Sequence, residues 1–162
     1  MFRPEWFAAS MMIVMLGSVS VFGLERPAPG TLVKGGGAVL TAAVRSAQSI
    51  ALDRLGKEEE CRELFAERGA DGARLLLEAD YRVALPGEAG GLCENGASAF
   101  TGMATGRTAF CQHSFLKLPA PRRAIVLLHE ALHVAGMGQH PLHPGAMTAR
   151  EINGVVARSC DL

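Results

Sequence analysis

One stretch constrains the fold more than any other: residues 121–136 read PRRAIVLLHEALHVAG and offer almost no polar face. A helix that is apolar nearly all round is a buried helix, so whatever else the chain forms must pack around this one. Pro121 suits the first turn, and Gly136 suits the residue just past the end, which predicts a helix between them. Beyond Arg122 and Arg123 in its first turn, three polar side chains, His129, Glu130 and His133, lie inside the run. Burial there is costly unless each finds a partner, so cost and spacing together make them the first candidates for function.

The flanking segments carry weaker but readable patterns. Apolar residues recur at Leu40, Val44, Ala47, Ala51 and Leu55, a helical stripe over Val39–Leu55 that Gly56 is expected to stop in a left-handed conformation. A second helix is expected over Glu58–Arg68, facing inward through Cys61, Leu64 and Phe65 and closed by Gly69, and a short third over Ala73–Ala79. Tyr81, Val83 and Leu85 alternate, and after a Gly/Pro-rich loop SAFT and Thr108–Phe115 follow as further strands, predicting a small, mostly antiparallel sheet. Thr148 is placed to cap a last helix running to about Ser159. Helices, then strands, then helices indicate an α+β fold.

The chain has 162 residues, 16 basic and 16 acidic, for a formal charge of zero. With no cluster of Lys/Arg interleaved with aromatics, nucleic acid is not an expected partner. Residues 7–24, FAASMMIVMLGSVSVFGL, are mostly apolar, follow Arg3 and precede ERPAPG, the pattern of a secretory signal peptide. Cleavage is expected after Ser20 or Gly23; an uncleaved anchor is the alternative reading. The expected organisation is a signal peptide over 1–23, a flexible linker over 24–37 and one domain over 38–162, in a secreted or periplasmic protein that has no membrane association once the signal is cleaved. The four cysteines, Cys61, Cys93, Cys111 and Cys160, all follow the signal, and in an oxidising compartment an even count points to two disulfides. Three pairings exist. Cys61–Cys160 and Cys93–Cys111 is the preferred one, because the first would join two helical segments and the second brackets the strand pair. No Cys-x-x-Cys spacing supports zinc on the thiols.

His129, Glu130 and His133 form His-Glu-x-x-His. At about 100° per residue the two imidazoles fall roughly 40° apart and one turn along, so both can reach one ion at about 2.0–2.1 Å, with Glu130 on the adjacent flank able to reach a water on that ion. With five His in 162 residues, roughly 0.01 accidental matches are expected. A pair of hydrogen-bonded core histidines is the plainer reading, but it leaves Glu130 without a charge partner in an apolar helix, a difficulty that a divalent cation removes.

The segment resembles the zinc-binding helix of the zincin metallopeptidases, and HEALHVAG resembles their metzincin branch through Gly136. The likeness extends softly over residues 95–162: from AFT and Cys111 through VLLHEALHVAGMG to TAREINGVVARSC the chain is similar to small secreted bacterial proteins with a zincin-like helix. The resemblance implies a minimal zincin-like domain with one Zn2+ per chain and Glu130 as general base. For the third ligand, a metzincin places His or Asp six residues after the second His; that position here is Gln139, with His140 one residue later. Gly136 and Gly138 give the loop freedom to absorb one residue, so His140 is the first candidate. Glu151 is the second, near the spacing at which thermolysin-like gluzincins supply a glutamate, although Thr148-Ala149-Arg150-Glu151 also reads as a capping box. His143 is the third. Met147 resembles the methionine beneath the metal in metzincins but comes too early in the chain, and is read as core. His113 and Tyr81 are read as structural, so no oxyanion stabiliser is named.

The function expected from these residues is a secreted zinc-dependent peptidase acting on a peptide or protein substrate, with a metal-activated water and Glu130 moving the proton. The competing expectation is a non-catalytic zincin-like module whose metal is structural or whose cleft binds a partner. Four protein ligands would mark the second, three and an open position the first.

Overall fold

The structure, a computed structural model, describes residues 32–162. The expected signal peptide over 1–23, and the linker as far as residue 31, lie outside the described residues. In chain order the described residues form α1 (Ala38–Lys57), α2 (Glu59–Ala66), α3 (Gly72–Glu78), β1 (Asp80–Val83), a one-turn α4 (Glu88–Gly91), β2 (Ala99–Gly102), β3 (Arg107–Phe110), α5 (Gln112–Lys117), α6 (Ala120–Val134) and α7 (Ala149–Ser159). The architecture is α+β, a set of helices with one small sheet. Among the described residues no helix is long and apolar enough to cross a membrane.

The all-round apolar helix is α6, and it is the centre of the packing: α1, α3, α7 and β2 all lie against it. Leu127, Leu128 and Leu132 are fully buried, and each contributes about 1.5–3 kcal/mol relative to exposure. The stripe expected on α1 is the face that α6 meets, with Leu40, Val44, Ala47, Ala51 and Leu55 all buried. Gly56 does not end α1 as expected. The helix runs on to Lys57, where the Arg62 guanidinium donates to the carbonyls of Leu55 and Gly56 and satisfies the last turn. Asp71 caps α3, its Oδ1 accepting from the amides of Ala73 and Arg74.

The sheet differs from the mostly antiparallel one expected. Its order is β1-β3-β2, with β1 parallel to β3 and only β2 antiparallel to it. The connection over residues 84–98 is long enough to pass the end of the sheet and lay β2 on the far side of β3, so the sheet is mixed. Nor does the third strand continue to Phe115: it ends at Phe110 and turns into α5. That helical turn returns the Phe115 ring to the same core, 4.7 Å from the Phe110 ring, where an extended chain would carry it away. Of the expected linker, residues 32–37 do not run free. Val33 is buried, and Lys34 bridges to Arg82 beside β1 through Lys34 N–H to Tyr81 O and Val83 N–H to Lys34 O.

Both disulfides pair as preferred from the sequence. Cys61 at α2 joins Cys160 just past α7, and Cys93 in the long connection joins Cys111 just past β3. No cysteine is left free among the described residues.

Candidate metal centre

α6 presents His129, Glu130 and His133 to the wall of a cleft of about 360 Å3. The rest of the lining comes from β2 and the loop before it, from the loop after α6, and from α7 through Ala149 and Asn153. The edge strand is tied to the helix by a short chain of hydroxyls. Thr108 Oγ1 lies 2.9 Å from Thr101 Oγ1, which donates to the main-chain carbonyl of Glu130 at 3.5 Å.

The two imidazoles are held in defined tautomers. His133 Nδ1 donates to the carbonyl of Met137 at 2.7 Å, and His129 Nδ1 donates to Asn153 Oδ1 at 2.8 Å. With each ring proton on Nδ1, each neutral ring keeps its lone pair on Nε2. The two Nε2 atoms stand 3.0 Å apart, and Gln139 Oε1 stands 3.0 Å from one and 3.1 Å from the other. In those tautomers, and with both rings neutral, three acceptor atoms face one another. What relieves such a cluster is positive charge, either a proton on one ring or a cation in the middle. Nitrogen and oxygen donors of this kind suit zinc.

Glu130 sharpens the point. It is buried, and Oε2 has no hydrogen-bond partner among the described residues, an unusual state for a polar atom at that depth. Burial, which penalises the charged form, pushes its carboxyl above the usual range, while His129 and His133 beside it act in the opposite direction. Among the described residues no Lys, Arg or Asp lines the cleft, and Glu130 is its only carboxylate.

The turn after α6 explains how Gln139 arrives there. Gly136 takes a left-handed conformation, φ 92°, and the chain closes a Schellman motif: Gly136 N–H bonds His133 O and Met137 N–H bonds Leu132 O. Met137 is thereby buried, its carbonyl meets His133, and the chain doubles back with residue 139 over the histidine pair. The chain matches no protein-family model, no curated protein and no solved structure. The site is accordingly read from its own geometry.

The other residues singled out in the sequence are placed as follows. His140 is exposed, its main-chain N–H bonded to Met147 O. Glu151 completes the capping box, its Oε2 accepting from the amide and hydroxyl of Thr148 at 2.7 and 2.8 Å, and those bonds hold its carboxyl below the usual range. His143 lines the outer cleft with its ring against Gly138, at a distance a Cβ there would crowd. Met147 packs against the core. His113 is exposed on α5, not on a strand, and buried Tyr81 donates to Leu76 O. Among the described residues no three His, Cys, Asp or Glu side chains converge; the third side chain at the pair is an amide. The sequence reading passed over Gln139 and Asn153. A signal existed for each: Gln139 is six residues after His133, and Asn153 is a poor helix former in the middle of α7.

Proposed function

We propose that this chain is an exported zinc-dependent peptidase of the zincin type, with His129 and His133 holding the metal and Glu130 as general base. One observation carries the reading: two imidazole lone pairs turned on one point, beside a buried carboxylate with one oxygen unpartnered among the described residues, at the wall of an open cleft. When bound, the metal supplies a Lewis acid that polarises the scissile carbonyl and acidifies water. The chain's own residues do the rest. Asn153 and the Met137 carbonyl fix the rings so that Nε2 faces the cleft, and Thr101 anchors the main chain at Glu130. Glu130, with a free carboxylate oxygen and an environment that favours protonation, takes the proton of the attacking water and returns it to the leaving amine.

The cleft walls also bear on substrate. Apart from Glu130 the lining carries no acid, Lys or Arg among the described residues, and Leu92, Met103 and Leu142 in that lining are exposed, which suits peptides presenting uncharged side chains. Two disulfides, together with the apolar N-terminal segment, support export to an oxidising compartment. A non-catalytic module with structural metal would call for four protein ligands, whereas among the described residues His129, His133 and Gln139 alone meet at one point.

The test is metal analysis of the purified mature protein with hydrolysis of a mixed peptide library at neutral pH. One zinc per chain is expected, lost in His129→Ala and His133→Ala. Glu130→Gln should keep the zinc and the fold but abolish hydrolysis. Hydrolysis that survives both a zinc chelator and Glu130→Gln would refute the mechanism.

A further inference from the structure

We infer that the third protein ligand is Gln139, through its side-chain carbonyl oxygen, so that the metal is held by an all-neutral set of two imidazoles and one amide. The inference rests on the zinc reading above and names the part of the site that the histidine pair alone leaves open. Its basis is the triangle of acceptors: Gln139 Oε1 is as close to each Nε2 as the two nitrogens are to each other, 3.0, 3.1 and 3.0 Å. Donor atoms about 2.0–2.1 Å from a tetrahedral ion stand roughly 3.3 Å apart, so the triangle has to widen by only a few tenths of an ångström.

The backbone specifies residue 139 rather than its neighbour. The Schellman turn at Gly136 fixes the direction of the chain after α6, and the bond from His140 N–H to Met147 O turns residue 140 outward to solvent. Glu151 is committed to the Thr148 cap on the exposed side of α7. His143 lies with its ring against Gly138.

A neutral third ligand has a chemical consequence. A set with one carboxylate offsets one of the two charges of a zinc ion, whereas this set offsets none. Glu130, the only carboxylate lining the cleft among the described residues, is then the counter-charge at hand, and it does not have to be a ligand to act as one. The expected result is a site that binds metal more weakly than a carboxylate set and polarises its substrate more strongly.

The experiment measures zinc dissociation constants by competition with a chromophoric chelator, and the visible spectrum of the Co2+-substituted protein, for the mature wild type, Gln139→Ala, Gln139→Glu, His140→Ala and Glu151→Gln. Loss of an outer partner of a ligand already costs about 10–100-fold in metal affinity, so Gln139→Ala should weaken zinc binding by about tenfold or more. Gln139→Glu should bind at least as tightly as wild type with a shifted Co2+ spectrum, and His140→Ala and Glu151→Gln should bind as wild type does. Gln139→Ala binding zinc as well as or better than wild type would overturn the inference, because the amide would then only be hydrogen-bonding the ring nitrogens. So would the loss appearing in His140→Ala or Glu151→Gln instead, or an unchanged Co2+ spectrum in Gln139→Glu, which also serves if Gln139→Ala does not fold. Those outcomes leave the zinc reading standing; a wild type that binds no zinc overturns both.

Discussion

A carboxylate kept for chemistry should be a burden to the metal-free fold, and Glu130 offers a direct test. The residue is 5% exposed and Oε2 has no partner among the described residues. A buried polar atom left unsatisfied costs about 1–3 kcal/mol, more if charged. Leucine is close in size and removes both oxygens from an otherwise apolar helix, so Glu130→Leu should raise the unfolding free energy of the chelator-treated protein by about 1–3 kcal/mol. The pH dependence has a definite sign. Burial raises the carboxyl's pKa in the folded state, so between the ordinary carboxylate value and the raised one the folded chain binds more protons than the unfolded one. Wild-type stability therefore falls as pH rises through that window, and the advantage of the leucine variant should be larger at neutral pH than in acid. Zinc acts the other way: at a free concentration of one hundred times the dissociation constant it adds about 2.7 kcal/mol to any chain that binds it. The assay is urea unfolding with and without chelator, comparing midpoints at constant slope. A leucine variant less stable than wild type in the chelator, with the slope unchanged, would refute the reasoning, since Glu130 would then be an anchor of the core.

Two further outcomes are expected. Asn153→Ala frees the Nδ1–H of His129 and should weaken zinc binding on the order of 10–100-fold, while Asn153→Asp, which still accepts that bond, should retain most of it; chelator competition measures both. Replacing Cys61 and Cys160 together by Ala opens a loop closed at a separation of 99 residues and should cost about 4.7 kcal/mol on the chain-entropy account, against about 3 kcal/mol for Cys93 and Cys111 at a separation of 18. Urea unfolding of the two double variants checks the ranking, and the reverse order would show that residual structure in the unfolded chain outweighs loop length.

How much of this was legible beforehand depends on what each feature answers to. The α6 helix could be read because its apolar residues cover every face, and a helix of that kind has one place to go. The α1 stripe could be read because Leu40, Val44, Ala47, Ala51 and Leu55 repeat at helical spacing and all are buried. The sheet order could not, because alternation marks a strand but says nothing of its neighbour; the long 84–98 connection decided that β1 would lie parallel to β3. The end of β3 was missed for a related reason: Thr108–Phe115 alternates acceptably, yet the core required Phe115 to turn back toward Phe110. At the site, His129, Glu130 and His133 were visible as a motif. Which residue of the next loop faces the pair is a matter of one position, and that position is set by the turn at Gly136 and the His140–Met147 bond, not by which side chain is the commoner ligand. A preference for imidazole over amide pointed to His140, whereas backbone geometry brings Gln139.

The same geometry explains why so short a chain can hold a cleft open. Each wall is placed by a different element: α7 reaches His129 through Asn153, the turn after α6 reaches both rings through Met137 and Gln139, and β2 reaches Glu130 through Thr101. Packing on α6 orients these elements, but α7 and the loop before β2 lie at the edges of a small core, where local opening is cheapest. Those are the two elements the disulfides secure. Cys160 follows α7 and ties it to α2, while Cys93 lies in the loop that supplies Leu92, Gly96 and Ser98 to the cleft and ties it to the end of β3. The covalent links hold the cleft walls in place, leaving α6 free to carry three buried polar side chains, among them a carboxylate whose Oε2 no described residue satisfies.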